Sequence, residues 1–500
     1  MFQFTIRKLA LFLFALVLSI SGFFMGEPIE PVFALGTNYY IDSINGDDSN
    51  SGISASVAWK TIDKLNSVSF AAGDNLNFAR ESVWSGTILT IQSSGTPTNP
   101  ITLKSYGSGK LPLLKNPGGL HVLEIKGDYI VVDGLSFSDT TTFEIFGRDQ
   151  YLGSGAILIG VGSDYVAVKN SDFTRVGVGV KSYGLYTTIT HNNFHDLVIA
   201  YRDTDESYGA ICISINNSNA EISYNLFTNC RSIDSPYGAD GGAIEIEGWW
   251  FQEKSNINIH HNFSSGSQGF LEVTETISSN VTIINNISDD YQQFVAWDTT
   301  TTPSNFQVYH NTVIRTHSEN ATALFTVYYY SDEGPAPSDS WLTFRNNIFY
   351  TPAANVLSGS YSYKYHNYPH DHNLYYGGSN SNPVGYPLGE GEIIADPQFV
   401  NFSARDLHLK ATSRAINTGV NLDIRSDYSD KDRPVGSLPD IGAYEYQGSI
   451  NVGVIELIIV LAIVVGLFGV SKLGRIARRI KAGICNFRKG TEYFLKFFGE

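Results

Sequence analysis

One short phrase recurs along the middle of the chain: an aliphatic or aromatic residue, two variable residues, an asparagine, then one or two apolar positions. It runs through Ile189 to Phe194, Ile222 to Phe227, Ile259 to Phe263, Ile283 to Ile287, Val308 to Val313, Phe344 to Phe349 and His370 to Tyr375, with degenerate copies at Val132 to Phe137 and Val168 to Phe173. The marked asparagines, Asn192, Asn225, Asn262, Asn286, Asn311, Asn347 and Asn373, lie 33, 37, 24, 25, 36 and 26 residues apart. Such a period means a stack of similar units, each burying its apolar face against the next. Its irregularity argues against propeller blades, which repeat at near-constant length. Asparagine suits a corner because it tolerates the left-handed conformation and its amide reaches the rungs above and below.

A second phrase sits between the copies and alternates strictly: Ala210-Ile-Cys-Ile-Ser214, Ala243-Ile-Glu-Ile-Glu247, Phe270-Leu-Glu-Val-Thr274 and Phe294-Val-Ala-Trp-Asp298. Period two places Ile211, Ile213, Ile244, Ile246, Leu271, Val273, Val295 and Trp297 on one face and the polar members on the other. Two or three short strands per unit, with no helical stretch between them, predict an all-β parallel β-helix solenoid. Abundant glycine (47), tyrosine (29) and phenylalanine (30) beside two methionines fit strands and turns.

The ends set an address. Arg7 and Lys8 precede the apolar run Leu9 to Ile20, and Val32-Phe33-Ala34 offers a cleavage site, so residues 1–34 read as a secretory signal. Residues 450–470 carry one charge, Glu456, and at 1.5 Å per residue they span a hydrocarbon core of about 30 Å. Glu456 lies near the outer edge, where it can snorkel. Eight Lys/Arg follow within 471–500 against Glu492 and Glu500. By the positive-inside rule that tail is cytoplasmic and the body extracellular. The domain reading is a signal at 1–34, an N-terminal cap and first coils at 35–125, β-helix repeats at 126–376, a C-terminal cap at 377–448, a transmembrane helix at 449–471 and a basic tail at 472–500. The formal charge of −16 leaves about −21 on residues 35–448, which excludes nucleic acid as a partner. Cys212 and Cys230 can pair in an oxidising compartment, but two packed thiols are the preferred reading. Six Asn-x-Ser/Thr sequons begin at Asn216, Asn262, Asn280, Asn286, Asn320 and Asn401.

The chain resembles the right-handed parallel β-helix, pectin-lyase-like proteins of microbial surfaces over residues 38–447. Tyr39 to Gly52 followed by Trp59-Lys-Thr-Ile62, and Gly73-Asp74 with Trp84, look like that group's N-terminal cap. Asp432-Arg-Pro434 and Asp440-Ile-Gly-Ala-Tyr-Glu445 look like the closing segment of its membrane-anchored members. The resemblance implies a surface protein engaging carbohydrate, and it includes many polysaccharide lyases and some glycosidases. Fold does not fix the reaction.

Stacking the alternating strands predicts two outward ladders, Cys212, Glu245, Glu272, Ala296 and Ser214, Glu247, Thr274, Asp298. Glu245 and Glu272 then have backbones about 4.8 Å apart, and Glu247 and Asp298 about 9.6 Å. Carboxylates that close cannot both ionise freely, so one becomes an acid beside a base, or a cation such as Ca²⁺ neutralises the pair. The first outcome is what glycoside hydrolysis needs, with close pairs suiting retention and wider ones inversion. Asp240 is a third candidate acid, and Trp249 and Trp250 are a sugar-stacking platform. We therefore expect a glycosidase-like site. The opposing expectations are a non-catalytic adhesin or envelope protein, and a uronate lyase. Residues 242–273 resemble the core of the alginate-lyase and chondroitinase-B-like group but lack its basic pair. The substitutes by rung are Lys181, Arg202, Arg231 and Lys254, each read as a surface charge. Asp42, Asp47 and Asp48, with Asn45 and Asn50, crowd oxygen donors that suit Ca²⁺ or, equally, solvated Asx turns. His366, His370, Asp371 and His372 read as an ordinary corner rather than a metal site.

Overall fold

Each repeat phrase turns out to be a corner between two strands. In the computed structural model the described residues are 36–448, apart from 141–153, 203–206, 237, 249–252, 275, 300–302, 317–322, 330–338, 353–354, 358–367, 378–383 and 385–386. The expected signal, transmembrane helix and basic tail lie outside them, as do Trp249, Trp250 and His366. Among the described residues no helix is long and apolar enough to cross a membrane.

Among the described residues successive strands wind through three parallel sheets of 12, 12 and 10 strands, opened by Asn38–Ile41, Val83–Ser85 and Leu89–Ile91. One coil reads Thr188–Thr190 in the first sheet, Asn193–His195 in the second and Ile211–Ile215 in the third. The next reads Glu221–Ser223, Leu226–Thr228 and Gly242–Glu247. The aliphatic head of each phrase points inward from the first sheet, so Ile189, Ile222, Ile259, Ile283, Val308 and Phe344 are register partners down one buried column. The second sheet contributes a stack of rings, Phe137, Phe173, Phe194 and Phe227, with centroids 4.5 to 5.5 Å apart. The third contributes Val180, Ile213, Ile244, Leu271, Val295 and Phe325. A short helix, Ile62–Asn66, closes the N-terminal end by burying Ile62 and Leu65, with Thr61 as its N-cap.

The corner corrects one detail of the expectation. The left-handed residue is the one before each marked asparagine: Tyr224, His261, Asn285, His310 and Asn346 have φ of 53° to 57°. The marked asparagines lie inside the core instead. From Asn192 to Asn347 each Nδ2 donates to the next Oδ1, as in Asn225 to Asn262 (3.0 Å), Asn262 to Asn286 (3.0 Å) and Asn311 to Asn347 (3.0 Å), and also to a backbone carbonyl of an earlier coil. A buried amide is stable only when its donors and acceptor are used, and this ladder uses them. Burial within it removes Asn262 and Asn286, both 0% exposed, as glycan acceptors.

Cys212 and Cys230 form a disulfide, Cα–Cα 6.3 Å, which overturns the packed-thiol reading. Cys212 lies in the core rather than on the outer face, and its strand pairs with Gly242–Glu247 in a register shifted by two residues from the one the phrases suggest. The residue opposite Glu245 is therefore Ser214, not Cys212. Past the last coil, the chain folds back along the outer side of the second sheet. Phe399, Leu407, Leu409, Ile441 and Ala443 make a second core there with Ile287, Ile314, Ile348 and Leu374.

Candidate active site

Two hairpins interrupt the climb from the second sheet to the third, in consecutive coils. Ile199–Arg202 pairs with Ser207–Gly209, and Ser232–Ser235 with Gly238–Asp240. They stand against one another through Ser207, whose hydroxyl meets Ser235 Oγ at 2.8 Å and donates to Asp240 Oδ2. Behind this wall the outer face of the third sheet carries the ladder Lys181, Ser214, Glu245, Glu272 and Ala296. The adjacent ladder is Glu247, Thr274 and Asp298.

Glu245 and Glu272 are thus register partners on neighbouring coils, as the stacking argument required. Together with Asp240 they line a cleft of about 200 Å³. Gln268, Gln292 and Gln293 supply amides to the same cleft, and none of its described lining residues is a lysine or arginine. The glutamines stand just before the phenylalanine that opens a third-sheet strand, at Gln268-Gly-Phe270 and Gln293-Phe294. That position within the repeat was legible in the sequence but was not read as functional.

Crowding fixes the protonation. Burial, then the charges of Glu247 and Glu272, push the Glu245 carboxyl well above the usual carboxylate range, opposed by Lys181. Burial, then Asp240, Asp298 and Glu247, push Glu272 up to about 7. Asp240 is raised by burial, against hydrogen bonds from Ser207 and the Gly241 N–H. The cleft therefore offers carboxylic acids that keep a proton where ordinary ones have lost it.

Glu247 faces a different environment. It accepts from Ser214 Oγ at 2.6 Å, Tyr208 Oη at 3.0 Å and Lys181 Nζ at 3.2 Å, all on one oxygen, while Lys181 also donates to Tyr208 Oη at 2.7 Å. The Lys181 ammonium lies 4.7 Å from the centre of the Tyr208 ring. Lys181 is 0% exposed and Lys254 2%, so neither is the surface charge the sequence suggested. A lysine is buried when an acid is paired with it, and the acid is Glu247. Burial lowers the pKa of Lys254, opposed by Glu247. Arg231 donates from Nε to Gln268 Oε1 at 2.7 Å and stacks on Tyr291, next to the cleft. Arg202 ends its hairpin strand. Tyr208 was invisible to sequence reasoning, because it sits on an inserted hairpin rather than in the repeat.

The acidic N-terminal loop is organised as turns. Asp42 accepts from the N–H groups of Ile44 and Asn45, Asp47 from Ser49, and Asp48 from Lys60 and Thr61. Among the described residues no group of three or more His, Cys, Asp or Glu side chains is placed to hold a metal ion. His370 Nδ1 meets Glu392 at 2.9 Å and His372 meets Asp371 at 2.9 Å.

Comparison with known proteins bears on the fold first. The solved structure of pectate lyase Pel9A superposes with a TM-score of 0.50, covering 83% of this chain and 97% of that one at 15% identity. The architecture is a pectate-lyase-like parallel β-helix. The family model described as Chondroitinase B matches residues 60–296, a little under half of the chain, and includes the whole ladder from Lys181 to Ala296. A lacto-N-biosidase of Bifidobacterium longum subsp. longum is 35% identical over 85 residues, 16% of this chain and 5% of that protein's length.

Proposed function

We propose that this chain acts on carbohydrate, as a retaining glycosidase that uses Glu245 and Glu272 as its acid and nucleophile pair. The observation carrying this reading is the register pairing of the two glutamates in one cleft. Adjacent coils hold their backbones about 4.8 Å apart, and retention calls for carboxyl groups roughly 5 to 5.5 Å apart. One must keep its proton to give it to the leaving oxygen, and the crowding described above favours that state. Asp240 sits beside the pair. Glu247 and Asp298 stand on the next ladder, outside the cleft lining, and assist through their charge. The names of the matched family and of the relative, both enzymes of glycans, support the carbohydrate part of the reading. A platform role for Trp249 and Trp250, and an extracellular membrane-anchored body, remain part of the proposal. Ca²⁺ has no step in it.

Reducing-end release from a panel of neutral and acidic glycans tests the reading. Glu245→Gln and Glu272→Gln are each expected to cut the rate by about 10² to 10⁴. Release that survives both changes removes the assignment, and binding without release leaves a non-catalytic adhesin. Eliminative lysis is the second reading, favoured by the Chondroitinase B match. It predicts an unsaturated product absorbing in the ultraviolet. The cleft speaks against it, since a uronate carboxylate there would face three acids and no cation among the described lining residues.

A further inference from the structure

The two glutamates of the pair are not equivalent, and the asymmetry comes from outside the cleft. Glu247 lies two residues beyond Glu245 on the same strand and the same face. Its carboxyl group accepts hydrogen bonds from Ser214, Tyr208 and Lys181. Ser214 is also the lateral neighbour of Glu245, but its single proton goes to Glu247, while its oxygen accepts from Asn216 Nδ2 at 2.9 Å. Lys181, the nearest buried cation, is likewise committed to Glu247. Glu245 is therefore flanked by Glu247 along its strand and by Glu272 across the rung, with Asp240 facing it from the hairpin. Glu272 has Thr274 where Glu245 has Glu247, and faces Asp240 and, farther off, Asp298. Lys254 approaches Glu247 from the next strand of the first sheet, and Tyr208 from the first hairpin.

We propose that Glu245 is the proton donor and Glu272 the nucleophile, and that Glu247, clamped by Lys181, Tyr208 and Ser214, is the positioning residue that enforces this division. The assignment rests on the glycosidase reading. A Glu272 carboxylate oxygen attacks the anomeric carbon, the bond to the leaving oxygen breaks, and that oxygen takes its electron pair and the proton of Glu245. Glu245, now ionised, then removes a proton from water. The water oxygen displaces Glu272, releasing the sugar with its configuration retained and both carboxyls in their starting states. Burial raises both carboxyls, Glu245 well above the ordinary range and Glu272 to about 7.

Infrared titration of the full chain tests the proton placement without a substrate. The carboxylic acid carbonyl band that persists to the highest pH is expected to vanish in Glu245→Gln. In Glu272→Gln it should remain but titrate at lower pH. The reverse pattern overturns the assignment. Glu247→Gln is expected to move the Glu245 titration down by about one pH unit or more, whereas an unmoved titration in the folded variant reduces Glu247 to a structural role. Because that variant strands a buried lysine, Lys181→Met/Glu247→Gln removes both charges together and should give a smaller shift in the same direction. Turnover of 2,4-dinitrophenyl glycosides supplies the second arm. With azide, Glu245→Gly should yield the glycosyl azide of retained configuration and Glu272→Gly the inverted one, and exchanged products overturn the roles. A wild type that titrates as expected yet cleaves no aryl glycoside would sink the glycosidase reading while leaving the proton on Glu245.

Discussion

A carboxyl group held protonated by its surroundings has a measurable signature in stability. The folded pKa of Glu272 is pushed to about 7 from an ordinary 4.5. Below about 4.5 the group is protonated whether the chain is folded or not, and its contribution is fully present. As the pH rises through 7 the unfolded carboxyl has already ionised while the folded one resists, so the folded chain loses stability. Melting temperature is accordingly expected to fall between pH 5 and pH 8, and Glu272→Gln should flatten that fall. A slope as steep in the variant as in the wild type would mean that Glu272 is not the crowded acid described. Single residues also show where sequence reasoning stopped. Glu245 and Glu272 were legible because an acid alternating with isoleucine or leucine must face outward. Lys181 alternates in the same way, in Val178–Ser182, but nothing in its own strand shows that a hairpin carrying Tyr208 will meet it.

At the level of elements the asparagine corner carries the stack. Asn286 donates to Asn311 Oδ1, Ile259 O and Ile284 O, and accepts from both nitrogens of Asn262. Asn286→Ala would leave several of these partners buried and unsatisfied. A loss of about 3 kcal/mol is expected in the denaturant midpoint, and a loss under about 0.5 kcal/mol would show that the ladder is incidental. The hairpin bearing Asp240 is tied by a different device, the disulfide that closes an 18-residue separation at its base. In the loop-entropy model such a closure is worth about 3 kcal/mol. The denatured, unreduced chain should therefore present one reactive thiol, Cys485, and not three. The sequence placed both cysteines but not their bond, because strict alternation put Cys212 on the outer face, whereas it lies in the core beside Cys230.

Over the whole molecule, the C-terminal segment works as a strap across the corners. Arg433 and Glu445, both buried, pair at 3.1 Å, and Arg433 reaches Asn285 at 2.8 Å. Asn346 donates to Val420 O, and Tyr224 to Asp430 at 2.6 Å. The strap thus docks on the left-handed corner residues, side chains that the stack itself does not need. The Asp432-Arg-Pro434 and Asp440 to Glu445 motifs therefore have a structural job here. On the proposed topology, the body they close stands outside the cell. A protease added to intact cells should digest residues 35–448 and spare the basic tail, and loss of the tail first would reverse the orientation.

Sequence alone determined the winding, because period-two strands joined by a recurring corner have few ways to bury their aliphatic faces, and stacking is the one that uses them all. It also determined that Glu245 meets Glu272, since neighbours in a stack are fixed by the repeat. Only the tertiary structure decided what surrounds that pair. The hairpins, the buried Lys181 and Tyr208, and the partner of Cys212 depend on insertions and offsets that obey no period. Their positions are set by packing between coils, which a one-dimensional pattern does not encode.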